Sequence, residues 1–286
     1  MTDGGRTGGR RTGRVAITGA SGQVGSLLQK EMRALPNEVV PLNRGDDWSA
    51  GIDNSEVVVH LAGALVPGRG SSFEQANVET AKTVAGSIGP DTERIVFLSY
   101  VGASADSPNR YLRSKFEAEQ VLAETRRPLT VFRCLHIFGP PDAPGPTIAA
   151  FLAKEGKSKV TVLGSGRQRI EPVYIGDVVD GILASALDPA TPTGTFELGG
   201  PERMSMDGLV KTVNSRNEKA VKVGHVPTPI ARLLGHLSPS LNPSLVDLLV
   251  EDNLASGSHE TAGIFDLELH GPTEVWESTR APGAAT

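Results

Sequence analysis

The chain has 286 residues, 38% of them hydrophobic, and a formal net charge of −5. That is enough apolar material for a generous core in one or two domains, and the acidic balance gives no broad basic field for nucleic acid or an anionic membrane. The single cysteine, Cys134, excludes an internal disulfide, and no Cys/His cluster has zinc spacing, so no metal site is expected.

The longest apolar run, Val57 to Val66, is too short to span a bilayer and contains His60. The N-terminus lacks a hydrophobic signal core, so the expectation is a soluble, cytoplasmic protein, neither exported nor membrane-embedded. Residues 1–13 (MTDGGRTGGRRTG) have almost nothing to bury. They are expected to form a disordered tail, leaving 14–286 as a single domain.

Arg14 to Thr18 reads as a short apolar strand entering a glycine-rich turn, and Val24 to Leu35 repeats apolar residues at helical spacing. Further strands are predicted at Glu38–Leu42, Val57–Leu61, Arg94–Leu98 and Leu129–Arg133, with helices at Phe73–Ile88 and Tyr111–Thr125 between them. Near-continuous Val/Ile/Leu strands alternating with helices imply an α/β fold, a Rossmann-like doubly wound parallel sheet. Asp177 is expected to N-cap a helix at Val178–Ala186.

Beyond Gly139 the alternation breaks down. The segments 141–170 and 201–260 are read as a small C-terminal substrate-binding lobe over the sheet's carboxyl edge. Within it Ile230, Leu233, Leu234, Leu237, Leu245, Leu248 and Leu249 recur at near-helical spacing among prolines. They suit either an apolar lid for a hydrophobic or cyclic substrate or packing of the lobe itself. Trp48 and Trp276 are isolated and read as covering or packing groups.

The turn Thr18-Gly19-Ala20-Ser21-Gly22-Gln23-Val24-Gly25 spaces its glycines by three and three between strand and helix. The first glycine permits a sharp turn, the second lets backbone approach a pyrophosphate, and the third lets helix pack on strand. The helix N-terminus adds free N–H groups and a positive dipole end, so a dinucleotide is expected here. At the end of the second strand stand Asn43 and Arg44, where an acidic residue would take the ribose hydroxyls of NAD. Arg44 can hold a 2′-phosphate and Asn43 does not repel it, which favours NADP (NADPH), with NAD possible if Asp46 or Asp47 curls back to the ribose.

Tyr111 and Lys115 lie four residues apart on one helix face. A cation so placed would lower the phenol's pKa and suit it to protonate a carbonyl oxygen that receives hydride. Ser99, at the end of the preceding strand, could polarise the same carbonyl. With these motifs in order, together with His60-Leu61-Ala62-Gly63, Asn77-Val78-Glu79-Thr80 and Arg133 to Pro140, the sequence over most of Arg14 to Gly200 resembles the short-chain dehydrogenase/reductase superfamily.

Within it, Ser99-Tyr100-Val101-Gly102-Ala103, Arg113 to Glu119, Gly164-Ser165-Gly166, Pro172 to Val178 and Glu197 to Pro201 look most like the extended and atypical, epimerase/dehydratase-like branch. That branch includes NAD(P)-binding proteins related to a respiratory complex I accessory subunit. The resemblance implies that Leu61, Ala62 and Gly63 line the cofactor's ribose side, that Asn77 supports a proton relay, and that Lys115 also binds the nicotinamide ribose. A helix-stabilising amide is the other reading of Asn77.

Cys134-Leu135-His136 replaces the family's usual proline-containing wall beside the nicotinamide, so Ala64, Tyr100 and His136 are only candidate substrate neighbours. His136 could bind substrate, act as a second acid, or be a packed histidine. The combined expectation is an NADP-dependent ketoreductase for a small, apolar or cyclic carbonyl substrate. The alternatives are an epimerase or dehydratase that retains its cofactor, and a non-catalytic NADP-binding scaffold or sensor. Helices Phe73–Ile88 and Tyr111–Thr125 could form a dimer face, and a monomer is equally compatible.

Overall fold

The computed structural model describes residues 11–68, 70–140, 159–215, 221–237 and 241–278. Strand β1 (Arg14–Thr18) enters helix α1 (Gln23–Met32) through the glycine turn, and β2 (Glu38–Leu42) follows. The short run to the next strand holds only a six-residue helix, α2 (Trp48–Asp53), before β3 (Val57–His60). A π-helical turn at Glu74–Val78 runs into α3 (Glu79–Ser87), so the long helix expected from Phe73 is two pieces. Then come β4 (Arg94–Tyr100), α4 (Arg110–Ala123) and β5 (Leu129–Cys134).

The remaining strands are β6 (Ile137–Phe138), β7 (Lys159–Leu163), β8 (Arg169–Ile170), β9 (Val173–Tyr174), β10 (Gly194–Leu198), β11 (Met204–Ser205) and β12 (Lys222–Val226). The helices among them are α5 (Ile175–Leu187), α6 (Met206–Val213), α7 (Thr228–Leu237), α8 (Pro243–Val250), α9 (Ser258–Phe265) and α10 (Pro272–Ser278).

Six strands form one parallel sheet in the order β10-β5-β4-β3-β1-β2. From β1 the chain goes to β2 on one side and later to β3 on the other, which makes the carboxyl end of β1 the point where strand order reverses. Ligands of open α/β sheets bind at such a point. Alternation along each strand feeds two cores: Val15, Ile17, Val57, Val59 and Val96 pack beneath α1 and α5, while Ala16, Val58, Ile95 and Phe97 pack beneath α3 and α4. The doubly wound α/β expectation is therefore met.

The lobe has its own smaller core, built by Phe138, Val160, Val162, Ile170, Leu209, Val210 and Trp276. The Trp276 indole N–H donates to Gly139 O at 3.1 Å, which gives this side chain the packing role expected of it. Residues 141–158 of the expected lobe lie outside the described residues. Leu248 is buried and Leu245 and Leu249 half-buried, so on α8 the packing reading of the leucines holds. On α7 it does not: Ile230, Leu233, Leu234 and Leu237 face outward with exposures of 38–72%.

Two expectations are corrected. The tail was expected to run to Gly13, but the Arg11 N–H donates to Leu187 O at 2.8 Å and its guanidinium pairs with Glu93, while Asn37 Nδ2 donates to Arg11 O and Gly13 O. These bonds offset the ordering entropy of residues 11–13, and residues 1–10 lie outside the described residues.

Asp177 was expected as an N-cap, but α5 begins at Ile175 and places Asp177 inside its first turn. Its carboxylate accepts from the His270 backbone N–H at 2.8 Å and meets His270 Nδ1 at 2.7 Å. Burial pushes the Asp177 carboxyl up despite these bonds, whereas the hydrogen bond to Asp177 raises His270.

Replacing His270 by alanine should lower stability by about 1–3 kcal/mol at mildly acidic pH, since a buried carboxylate loses a partner. Because the folded imidazole has a raised pKa, its contribution is present in full below the unfolded value and fades as pH rises through the folded one. Urea titrations of both proteins across that window should show the difference shrinking with rising pH.

Candidate functional site

The glycine turn closes against the end of β3. Gly19 has φ +68°, and a Cβ there would lie 2.7 Å from Ala62 N, so both the left-handed backbone and the close approach require glycine. Gly25 backs onto the same turn, where a Cβ would lie 2.4 Å from Gly19 O. At Gly22 a Cβ would meet only Gly19 O, at 3.1 Å. Gly22 is also the N-cap of α1 and has no side chain with which to cap it. A helix N-terminus so presented, with Gln23 and Val24 in its first turn, suits a pyrophosphate.

Thr18 ties the two strand ends together. Its hydroxyl meets His60 Nδ1 at 2.7 Å and accepts from the Ala62 N–H at 3.3 Å, and the Leu61 N–H donates to Thr18 O at 3.1 Å. Burial holds His60 down to about 3, so this imidazole is neutral and stacks on Phe97.

At the end of β2 the Asn43 Oδ1 accepts from the Ser21 N–H at 2.8 Å, which engages Ser21's amide and ties the turn to β2. Asp46 accepts from the Asn43 N–H at 2.6 Å and Asp47 accepts from the Ser49 N–H as the cap of α2. Both acids are thus engaged locally. Arg44 is exposed and, among the described residues, forms no ion pair.

On the other side of the switch point, Gly63, Asn77 and Lys115 converge. A Cβ at Gly63 would sit 2.7 Å from Asn77 Oδ1 and 3.7 Å from Lys115 Nζ. Asn77 is buried; its Oδ1 accepts from the Ala64 N–H at 3.0 Å, and its Nδ2 donates to Ser114 Oγ at 2.9 Å. It joins the loop after β3 to α4 and positions both. Lys115 Nζ donates to Leu98 O at 2.7 Å and lies 4.1 Å from the centroid of the Phe97 ring. Burial pushes the ammonium down to about 7.

Tyr111 sits one turn before Lys115, with its ring buried between Tyr100, Phe73 and Leu248. Its hydroxyl takes no hydrogen bond among the described residues. Here the expected pKa effect is reversed: burial raises the phenol above its ordinary value, and Lys115, engaged by Leu98 O, does not offset this. The phenol is therefore protonated at neutral pH.

Ser99 is not brought to Tyr111. Side chains alternate across a strand, and Ser99 shares the α4 face with Phe97, where its hydroxyl donates to Glu119. Glu119 in turn accepts both Nε and Nη2 of Arg133, at 3.0 and 2.6 Å. Tyr100, one residue further on, is the strand-end side chain that faces Tyr111, edge-on with ring centroids 5.7 Å apart.

His136 is a packed histidine rather than a second acid. Nδ1 meets the Tyr100 hydroxyl at 2.9 Å, Nε2 donates to Leu248 O at 3.2 Å, and burial holds the ring down to about 4. Sequence reasoning missed Glu119, Asn109 and Asn253, all buried polar residues of this region. The one available signal was Asn109, standing just before the Tyr111 helix as an N-cap type.

The sequence pattern of the NAD-dependent epimerase/dehydratase family matches residues 15–199. The chain belongs to that family. A mitochondrial NADH dehydrogenase [ubiquinone] 1 alpha subcomplex subunit 9 from Arabidopsis thaliana is 30% identical over 196 residues, 66% of this chain and 47% of that protein. An N-acetyl-α-D-glucosaminyl-diphospho-ditrans,octacis-undecaprenol 4-epimerase from Escherichia coli O157:H7 is 25% identical over 58% of this chain and 55% of its own. The chain spans about half the length of these curated relatives.

The solved structure of MoeE5 in complex with UDP-glucuronic acid and NAD superposes with a TM-score of 0.71 at 16% identity, covering 92% of this chain and 96% of that one. This likeness supports the fold. No helix among the described residues is long and apolar enough to cross a membrane.

Substituting Gly19 by alanine should cost about 1–2 kcal/mol from the left-handed backbone alone, with the clash at Ala62 adding to it. A thermal unfolding comparison with wild type would measure this; an unchanged midpoint would contradict the geometry.

Proposed function

We propose that this family member binds NADPH in preference to NADH and reduces a carbonyl of a small, apolar or cyclic substrate, with Tyr111 as the proton donor. The observation that carries the reading is the Tyr111 hydroxyl, which takes no hydrogen bond among the described residues and lies one helical turn from Lys115. The preference for the 2′-phosphate rests on Arg44 standing exposed while Asp46 and Asp47 are occupied elsewhere.

The nicotinamide, when bound, supplies a hydride to the carbonyl carbon. The chain's own residues do the rest. The N-terminus of α1 with Gln23 and Val24 holds the diphosphate, Leu61 to Gly63 flank the ribose, and Lys115 is positioned by Leu98 O near Gly63 to reach the ribose hydroxyls. Tyr111 gives its proton to the developing alkoxide, and its raised pKa keeps that proton in place until a substrate oxygen takes it. Asn77 positions the loop and Ser114 around them. The apolar surroundings of Tyr111, namely Tyr100, Phe73, Leu65, Leu112 and Leu248, favour an apolar substrate.

A second reading is favoured by one observation. Ser99 is turned to Glu119 and the Tyr100 hydroxyl is held by His136, so neither polarises a carbonyl beside Tyr111. The chain would then hold a dinucleotide without turnover, as a scaffold or sensor.

Arg44→Ala should weaken NADPH binding by about 10–150-fold, the loss of charge-assisted bonds of about 1.5–3 kcal/mol, and leave NADH affinity unchanged; calorimetric titration of both nucleotides measures it. Equal affinities for the two nucleotides in wild type would refute the preference. Tyr111→Phe should lower carbonyl-dependent NADPH oxidation by about 100–10,000-fold with nucleotide affinity retained. Wild-type protein that binds NADPH but oxidises none across a panel of cyclic and aromatic ketones would favour the non-catalytic reading. Product formation without net NADPH consumption would instead mark an epimerase.

A further inference from the structure

Helix α8 lies against Tyr111 through Leu248, and three side-chain hydrogen bonds, one from its own cap residue, hold it there. Near its start, its cap residue Asn242 donates through Nδ2 to Leu65 O at 2.9 Å, in the loop after β3. In its first turn, Ser244 O accepts from Asn109 Nδ2 at 2.9 Å. In its last turn, Leu248 O accepts from His136 Nε2 at 3.2 Å, and His136 is steadied by the Tyr100 hydroxyl, which also approaches Asn253 Oδ1 at 3.3 Å.

Asn109 differs from the other two because it also acts on the Tyr111 helix. Its Oδ1 accepts from the N–H groups of Tyr111 and Leu112 at 3.0 and 3.4 Å as the N-cap of α4. The side chain is buried, so both ends of its amide work without competition from water. One amide therefore sets the start of the helix that carries Tyr111 and Lys115 and the height of the helix above it.

We infer that Asn109 is a positioning residue that joins the Tyr111 helix to α8, making α8 a fastened roof over Tyr111 rather than a swinging lid. Its importance for turnover rests on the reading of Tyr111 as the proton donor; its coupling of the two helices does not. A substrate then has to enter a site whose roof is already in place, and selection falls on shape rather than on closure.

The two ends of the amide can be separated by mutation. Asn109→Asp keeps the acceptor that caps α4 and removes the donor to Ser244 O. Asn109→Ala removes both. Amide hydrogen exchange on the full chain, resolved by segment, reads the two helices independently.

In Asn109→Asp, residues 244–250 should lose protection about tenfold, as expected for one buried hydrogen bond, while residues 111–115 and the β1 amides stay within twofold of wild type. In Asn109→Ala both helices should lose protection. The inference is overturned if Asn109→Asp leaves 244–250 unchanged, or if it loosens 111–115 as much as α8. Neither readout depends on turnover. A protein inactive toward carbonyls but showing the split would remove the proposed reaction and keep the roof.

Discussion

The approach of Gly19 to the Leu61–Ala62 peptide is the contact on which the rest of this molecule depends. A Cβ at Gly19 would fall inside van der Waals distance of Ala62, so only a bare backbone lets the ends of β1 and β3 lie this close. Thr18 then reaches across to His60 and Ala62, and the loop after β3 is delivered to Asn77 and on to Ser114 of α4. Through that series a turn that would cradle phosphates and a helix that bears a phenol and an ammonium share one frame. The frame is made of short, buried, directional bonds, which tolerate little displacement before a polar group is left unpaired.

Burial does much of the chemical work nearby. It makes His60 and His136 neutral, keeps the Tyr111 phenol protonated, and brings Lys115 close to losing its proton at neutral pH. Beside these groups stands the trio of Ser99, Glu119 and Arg133, where a guanidinium engages both oxygens of a buried carboxylate. Glu119 also favours the charged form of Lys115, one turn earlier on α4. A polar network that looks structural thus sets the electrostatic background of the residues that would do chemistry.

Much of this was legible in the residues alone. Val15 to Ile17 and Val57 to Val59 announced buried parallel strands, and the glycine spacing with its strand and helix context announced the turn. What failed did so for identifiable reasons. Ser99 and Tyr100 are neighbours whose side chains leave the strand on opposite faces, and deciding which one meets Tyr111 requires the register of β4 against α4. Asp177 has the chemistry of a cap, but its partner is 93 residues away, beyond any local pattern. Asn109 could be suspected as a cap, whereas its second bond, to Ser244, spans 135 residues. Ile230, Leu233, Leu234 and Leu237 have a periodicity that says which side of α7 is apolar and nothing about where that side points.

The stitching by His270 and Trp276 bears on how the protein comes to be folded. His270 closes onto α5, and Trp276 closes onto Gly139 across a separation of 137 residues. The lobe's core is therefore completed by residues far along the chain from the strands that they cover. Until those arrive, Val160, Val162, Leu209 and Val210 lack a wall of their core, and the growing polypeptide carries a sticky, half-assembled lobe.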